Sequence, residues 1–340
     1  MKHMTCTRWI SILLLALVLW PGGAVSGAEK LTAEAAGTIK EPTGRIAFIR
    51  NKNIWVMDAR GQSQMMVCEA TNAEGRLSWS LDARRIVFTR SGKVNFQSPA
   101  VGEGGFHKVY DLFLAYLDSA DAGRANWWTR LTDELGSRNP EWTVNDRIIL
   151  TRDMNANMVN AGYPNYQICL LDPESGNVEI LRKDWQMMPE FFMAPSMNAN
   201  GDIAFVHFYN EKPHGIAVLR RDQFMAPLDS VRVQSKKLPD AYSPAWSPDS
   251  KWIAYVNNSM TEPGLFLTTA DLSSSYLVFE PPPGTYLNTF AASFSPDSKW
   301  LTFSTTDGSI WICDITGSGA RRISGPGLDS APAWSHGPAK

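Results

Sequence analysis

The sequence predicts an all-β fold, a six-bladed β-propeller of four-stranded antiparallel blades, with N-terminal strands completing the C-terminal blade and closing the ring. Three observations carry this expectation. A short phrase recurs six times at intervals of roughly 40–60 residues. Each interval has room for four short strands and their turns, which is one propeller blade. The last copy stops after one strand, and the N-terminal segment begins with the strands it lacks.

The phrase is sharpest at Ala245 to Tyr255 (AWSPDSKWIAY) and Ser293 to Phe303 (SFSPDSKWLTF). Fainter copies run from Ser78 to Phe88 (SWSLDARRIVF) and from Glu141 to Leu150 (EWTVNDRIIL). A degenerate one is Ser196 to Phe205 (SMNANGDIAF), and Ala333 to Gly337 (AWSHG) is cut short. The anchor positions are 79, 142, 196, 246, 294 and 334. Pro-Asp-Ser is turn chemistry: Pro presets φ, while Asp and Ser bond their own backbone. An aromatic before the turn and an apolar run after it make a hairpin. A third strand follows and often ends in Asp, as at Leu112 to Asp118, Ile168 to Asp172 and Ile310 to Asp314. Gly-containing turns lead to fourth strands such as Val178 to Leu181 and Arg321 to Ile323.

The missing strands of the sixth copy are Gly44 to Arg50, Asn53 to Asp58 and Gln64 to Glu69. Joining them to Ala331–Trp334 leaves no open sheet edge for another chain to pair with. The predicted propeller is therefore 44–340. Residues 1–28 read as a signal peptide: Lys2 and Arg8 precede an apolar run from Trp9 to Trp20, which Pro21-Gly22-Gly23 ends. An uncleaved anchor is the alternative. Cys6 precedes the apolar run and so cannot be a lipid-attachment cysteine. Residues 29–43 form an N-terminal tail.

Composition narrows the class. The 13 Trp, 15 Phe and 9 Tyr, with 25 Gly and 21 Pro, suit many short strands and tight turns. With 32 basic and 34 acidic side chains, the chain offers no electrostatic case for nucleic acid or for an anionic membrane. Cys68, Cys169 and Cys313 each sit in a strand-like stretch and are odd in number, so buried free thiols are expected.

The copies at Trp246 and Phe294, the run Asn53 to Gly61 (NIWVMDARG) and Gly308 to Ser324 (GSIWICDITGSGARRIS) resemble the repeat of TolB-like propellers, also called the WD40-like or PD40 repeat. The resemblance covers about 44 to 336. It implies an exported propeller in the bacterial envelope that binds a protein or small ligand. The separate α/β domain that precedes the propeller of TolB has no counterpart in the short tail, so the resemblance is to the propeller alone.

Strand parity places a site. Second-to-third and fourth-to-first connections emerge on one face, which we call the loop face; the other two sets emerge on the turn face. The loop-face connections are long and varied: 91–108, 153–165, 208–214, 257–264, 183–193 and 280–290. Variable loops on a rigid scaffold are where binding residues concentrate. The candidate ligand- or partner-binding residues there are His107, Tyr163, Trp185, Phe191 and His207, with Tyr209, Glu211, His214 and Tyr286. Three histidines and Glu211 could ligate a metal in principle. Their spacing matches no compact ligand motif, though, and no His precedes the Trp-Ser-Pro-Asp turns as in oligogalacturonate lyases. No Gly-x-Ser-x-Gly elbow is present. The expectation is thus a monomeric, non-enzymatic, periplasmic scaffold for a protein partner, without cofactor or metal. A carbohydrate-active lyase or hydrolase, or a small-ligand sensor, with its site at the channel mouth, are the alternatives.

Overall fold

The computed structural model describes residues 30–32, 38–96, 105–118, 128–156, 164–181, 190–209, 212–224, 234–237, 241–289 and 292–336. Six four-stranded antiparallel sheets form a propeller ring. Blade 1 pairs β1 (Arg45–Arg50), β2 (Asn53–Asp58) and β3 (Met65–Cys68) with the last strand of the chain, β24 (Asp329–Trp334). Blade 2 holds β4 (Ala73–Trp79), β5 (Arg85–Phe96), β6 (Gly105–Tyr116) and β7 (Trp128–Arg130). Blade 3 holds β8 (Ser137–Trp142), β9 (Ile148–Asp153), β10 (Tyr166–Leu171) and β11 (Val178–Ile180). Blade 4 holds β12 (Glu190–Met197), β13 (Ile203–Tyr209), β14 (Lys212–Leu219) and β15 (Gln234–Lys237). Blade 5 holds β16 (Ala241–Trp246), β17 (Trp252–Asn257), β18 (Gly264–Thr269) and β19 (Ser275–Phe279). Blade 6 holds β20 (Ser293–Phe294), β21 (Trp300–Ser304), β22 (Ile310–Asp314) and β23 (Arg321–Ser324).

The ring closes as the sequence implies. Ile46 pairs with Trp334 and Arg50 with Asp329. The Arg50 guanidinium donates to both Asp329 carboxylate oxygens at 2.6 and 2.7 Å, and the buried Asp329 also accepts from Ser324. Such two-pronged geometry fixes register as well as adding energy. Six apolar clusters fill the six seams between neighbouring blades. Trp79, Phe88 and Ile54 meet in one, and Phe303, Leu301 and Val256 in another. Cys68, Cys169 and Cys313 are buried free thiols in these seams.

Ser-Pro-Asp works as its chemistry suggests. Ser247 Oγ donates to Asp249 at 2.7 Å and accepts from Trp252 N at 2.9 Å, and Ser250 sits at φ 60°. Ser295, Asp297 and Trp300 repeat the pattern, as do Ser80, Asp82 and Arg85. The third-to-fourth turns of blades 1 and 6 carry Asp-x-x-Gly, at Asp58–Gly61 and Asp314–Gly317. At Gly317 (φ 83°) a Cβ would lie 2.1 Å from the Val278 carbonyl of blade 5, and at Gly61 (φ 81°) 2.2 Å from that of Ile323 in blade 6. Only glycine fits there: it tolerates the left-handed backbone and lets successive blades touch.

Three local expectations need correction. Residues 91–108 are not mostly loop. β5 and β6 pair without a break from Arg85↔Tyr116 to Phe96↔Gly105, so blade 2 carries a β-arm that outruns its inner strand, whose last pair is Ala73↔Arg90. The 208–214 connection likewise shrinks to a tight hairpin, with Tyr209 opposite Lys212. The blade 4 anchor is Met197, not Ser196. Met197 pairs with Ile203 as Trp246 pairs with Ile253 and Trp142 with Ile148. The aromatic was lost from that copy, which hid its register. A short 3-10 helix at Arg221–Gln223 follows β14.

The N-terminal tail packs against the ring where it is described. Leu31 is buried in the seam between blades 5 and 6. The Lys40 carbonyl accepts from Trp300 Nε1, and the Thr43 carbonyl from Trp334 Nε1, each at 2.8 Å.

Candidate functional site

The six innermost strands, β24, β4, β8, β12, β16 and β20, line a central channel. Five of them carry a bulge, with Asn139, Ala194, Ser243 and Ala331 at φ of 54°, 51°, 48° and 50° and Gly75 at 74°. In four of these strands a proline follows: Pro140, Pro195, Pro244 and Pro332. A bulge interrupts the ladder, so the missing proline N–H costs nothing there.

Two of the proline carbonyls take part in the feature that divides the channel. Arg76, buried in blade 2, donates to Glu141 of blade 3 at 2.9 Å, to the Pro195 carbonyl of blade 4 at 2.9 Å and to the Pro244 carbonyl of blade 5 at 2.7 Å. Glu141 accepts in turn from Ser196 Oγ at 2.7 Å and Met197 N at 3.0 Å. One ion pair therefore ties four blades together across the axis. Burial holds the Arg76 guanidinium below its ordinary pKa, against the pull of Glu141, and pushes the Glu141 carboxyl up. Full hydrogen bonding makes such a buried pair tolerable.

Glu141 stands at a position with its own logic. In blades 2, 3, 4 and 6 the side chain before the anchor position bonds the next blade's inner strand, whereas blades 5 and 1 have Ala245 and Ala333 there. Ser78 Oγ accepts from Trp142 N at 2.8 Å, Ser196 Oγ from Trp246 N at 2.9 Å and Ser293 Oγ from Trp334 N at 3.0 Å. Glu141 serves Met197 in the same way. Four of the six junctions between inner strands are stitched through these side chains.

On the turn face, below Arg76, the channel ends in a cavity of about 140 Å³. Trp142, Met197, Trp246, Phe294 and Trp334 surround it, with Leu81, Val144 and Pro248 at its lip. On the loop face, above Arg76, lies a cavity of about 650 Å³ formed by blades 1, 2, 3 and 6. Its wall holds Lys52, Glu74, Thr89, Lys108, Tyr110, Arg138 and Asn139, and its apolar side Ile49, Ala331 and Leu328. Lys108 donates to Glu74 at 2.7 Å. The Arg138 guanidinium lies over the rings of Tyr166 and Tyr110, 4.4 and 5.2 Å from their centroids. Such stacking holds a cation in place without neutralising it.

Of the residues expected from sequence, His207 and Tyr286 have described side chains. His207 is half-buried in blade 4 and stacks on Phe192 at 5.4 Å. Tyr286 is 54% exposed on the loop leading to blade 6. His107, Phe191 and Tyr209 have their backbones in β6, β12 and β13, opposite Val94, Phe208 and Glu190, and His214 has its backbone in β14 at the irregularity between the Phe208↔Pro213 and His207↔Gly215 pairs; the side chains of all four lie outside the described residues. Tyr163, Trp185 and Glu211 lie outside the described residues altogether. Neither His207 nor Tyr286 lines the loop-face cavity. Among the described residues, no three His, Cys, Asp or Glu side chains gather to hold a metal ion.

The residues that do build the cavity were missed because they lie on inner strands and strand ends rather than in long loops. A signal was present. Glu74-Gly75-Arg76 and Arg138-Asn139-Pro140-Glu141 place charges in inner strands, where the other copies have small or apolar residues.

Fold and channel together define a ring-closed propeller with one plugged and one open mouth. No protein-family model matches the sequence, and no curated protein does. Solved structures are similar in fold. TolB from Acinetobacter baumannii has a TM-score of 0.62 at 17% identity, over 89% of this chain and 69% of that one. A putative TolB from Agrobacterium tumefaciens has a TM-score of 0.57 at 12% identity, over 84% and 90%. A chain of the nidogen/laminin complex has a TM-score of 0.59 at 10% identity, over 85% and 97%. At the level of fold the chain is a TolB-like six-bladed propeller.

Proposed function

We propose that the protein is an exported, non-enzymatic binding scaffold of the bacterial envelope, working in the periplasm and engaging a protein partner through its loop face. One observation carries this reading: the channel is floored by Arg76 and Glu141, so the loop-face mouth is a blind recess on a rigid ring. Among the described residues lining that recess there is neither histidine nor cysteine, and the single carboxylate, Glu74, is already paired with Lys108. The described wall thus supplies no cysteine nucleophile and no histidine base, and its other titratable side chains are Lys52, Lys108 and Tyr110. Exposed apolar side chains on the same face, Met260 at 99% and Leu328 at 69%, suit a protein contact. Residues 1–28 act as the export signal in this reading.

The test is affinity capture from an envelope extract. Wild type is compared with two variants: 183–189 replaced by Gly-Ser, which leaves β12 (Glu190–Met197) intact, and Met260→Ser with Tyr286→Ser and Leu328→Ser. A partner held by wild type and lost by either variant is expected. An identical set of captured proteins for all three would refute the loop face as the contact.

A further inference from the structure

We propose that the β-arm of blade 2 is a strand-addition site: the open edge of β5 beyond Arg90 takes an extended segment of a partner protein in which acidic and apolar residues alternate. The inference rests on the reading of the loop face as a partner surface, and it names the place and the chemistry of the contact.

The edge is open for a traceable reason. β4 covers β5 as far as the Ala73↔Arg90 pair, and the Asn72 carbonyl still accepts from Ser91 N at 3.1 Å. Just before Asn72 the chain turns away through Thr71, at φ 63°, whose N–H goes to Asn53 Oδ1. β5 nevertheless runs on, paired with β6 from Ser91↔Tyr110 to Phe96↔Gly105. Successive residues of a strand turn their backbone polar groups to opposite edges, so the Ser91 bond sets the phase. The N–H and C=O of Lys93 and Asn95 therefore face the open edge, and among the described residues no strand pairs with them there. The β6 edge is already taken at this height, where Tyr110 N donates to the Leu135 carbonyl at 2.9 Å. A two-stranded ribbon is marginal in water, and a third strand stabilises it.

Side chains select the occupant. Lys93 stands directly opposite Lys108, and like charges so placed are unfavourable. Glu74 accepts from Lys108 at 2.7 Å, whereas Lys93 is exposed at the edge, where a carboxylate of an added strand would meet it. The other face of the arm carries Gly92 and Val109, beside Phe113 and Trp128, in a groove of about 450 Å³. A Cβ at Gly92 would meet only Val109 Cγ2, at 3.4 Å, so that face has room for an apolar side chain. Arg90, 5.6 and 5.1 Å from the ring centroids of Phe113 and Trp128, adds a cation beside it. An edge lysine also disfavours a second copy of the same arm, which leaves a foreign, acidic strand as the occupant.

Fluorescence anisotropy of the purified protein with fluorescein-labelled Asp-Val-Asp-Val-Asp-Val-Asp, and with its Lys-for-Asp counterpart, tests this. Saturable binding of the acidic peptide with a Kd below about 1 mM is expected, the basic one being weaker by about tenfold or more. Lys93→Glu should weaken the acidic peptide by about tenfold or more. Asn95→Pro removes an edge N–H while sparing the β5–β6 ladder, and should weaken it by about threefold or more. Far-UV circular dichroism and a thermal melt of each peptide-free variant establish folding. Lys93 is exposed, so its variant keeps the test decisive if Asn95→Pro fails to fold. No binding of the acidic peptide up to about 1 mM overturns the proposal, as does binding that either folded variant leaves unchanged. The affinity capture decides the scaffold reading and this titration decides the arm, so the two can fail separately.

Discussion

The two ends of the channel are made by the same six strands and differ in almost every property. At the turn face, Trp142, Met197, Trp246, Phe294 and Trp334 converge on a space of about 140 Å³. At the loop face, three of those strands, β24, β4 and β8, open with neighbouring strand ends and connections into about 650 Å³ lined by charged and amide side chains. The turn-face ends are fixed by a repeated turn, so each blade delivers a bulky residue to the same height. The loop-face ends are fixed by connections that differ from blade to blade, and the ring leaves a recess that no repeat rule fills. Regular turns seal one mouth; irregular connections leave the other free to acquire a site.

The floor between the mouths is where the comparison breaks most readily. Arg76→Ala leaves Glu141 buried without its cation and should cost about 3–5 kcal/mol in urea unfolding. Adding Glu141→Ser, which installs the residue found there in blades 2, 4 and 6, should return much of that loss. A double variant no more stable than Arg76→Ala would show that the pair is not the unit that matters. Next in size is the turn face itself. Gly317→Ala forces a Cβ against the Val278 carbonyl at positive φ, and a loss of about 2 kcal/mol or more is expected. The same exchange at Gly176, where nothing lies within 4 Å, should cost less because only the backbone strain applies.

The smallest effect is a pH dependence that also separates carboxylates by place. On the turn face, a hydrogen bond from Thr269, and others from Ser273, hold Asp271 down at about 2, and the amides of Ser175 and Glu174 hold Asp172 below its ordinary value. A carboxylate with a depressed native pKa gives stability that is present above its unfolded value and lost as pH falls through the native one. The urea midpoint should therefore fall between about pH 4 and about pH 2, with a shallower fall in an Asp172→Asn, Asp271→Asn variant. Toward the loop face, burial pushes Asp111 up despite Arg130, so its contribution has the opposite sign: full below the unfolded pKa and lost as pH rises through the native one.

Much of this fold was legible because it is written in local chemistry that repeats. Asn53–Asp58 emerges with the bounds read from sequence, and Trp246 and Phe294 stand at equivalent heights, because Ser-Pro-Asp fixes the hairpin beside each. Met197 was read one position early, since without an aromatic the copy keeps only its turn. The β-arm of blade 2 was read as loop, since Ser91 to Lys108 includes glycines and polar residues that a ladder tolerates when both strands run on together. The site suffered most. Expectation followed the long loops to His207 and Tyr286, whereas the cavity is lined by Glu74, Thr89, Lys108, Arg138 and Asn139.

By itself the sequence determined the number of blades and the two faces, set by turns and strand parity within each repeat, and the closure of the ring, set by a last repeat whose missing strands stand at the other end of the chain. Only the tertiary structure decided that Arg76 would reach Glu141, Pro195 and Pro244 across the axis, flooring the channel and leaving one mouth open. Those partners lie 65 to 168 residues from Arg76 along the chain. Their meeting depends on the diameter of the closed ring and on bulges that turn carbonyls inward, and no stretch of sequence records either.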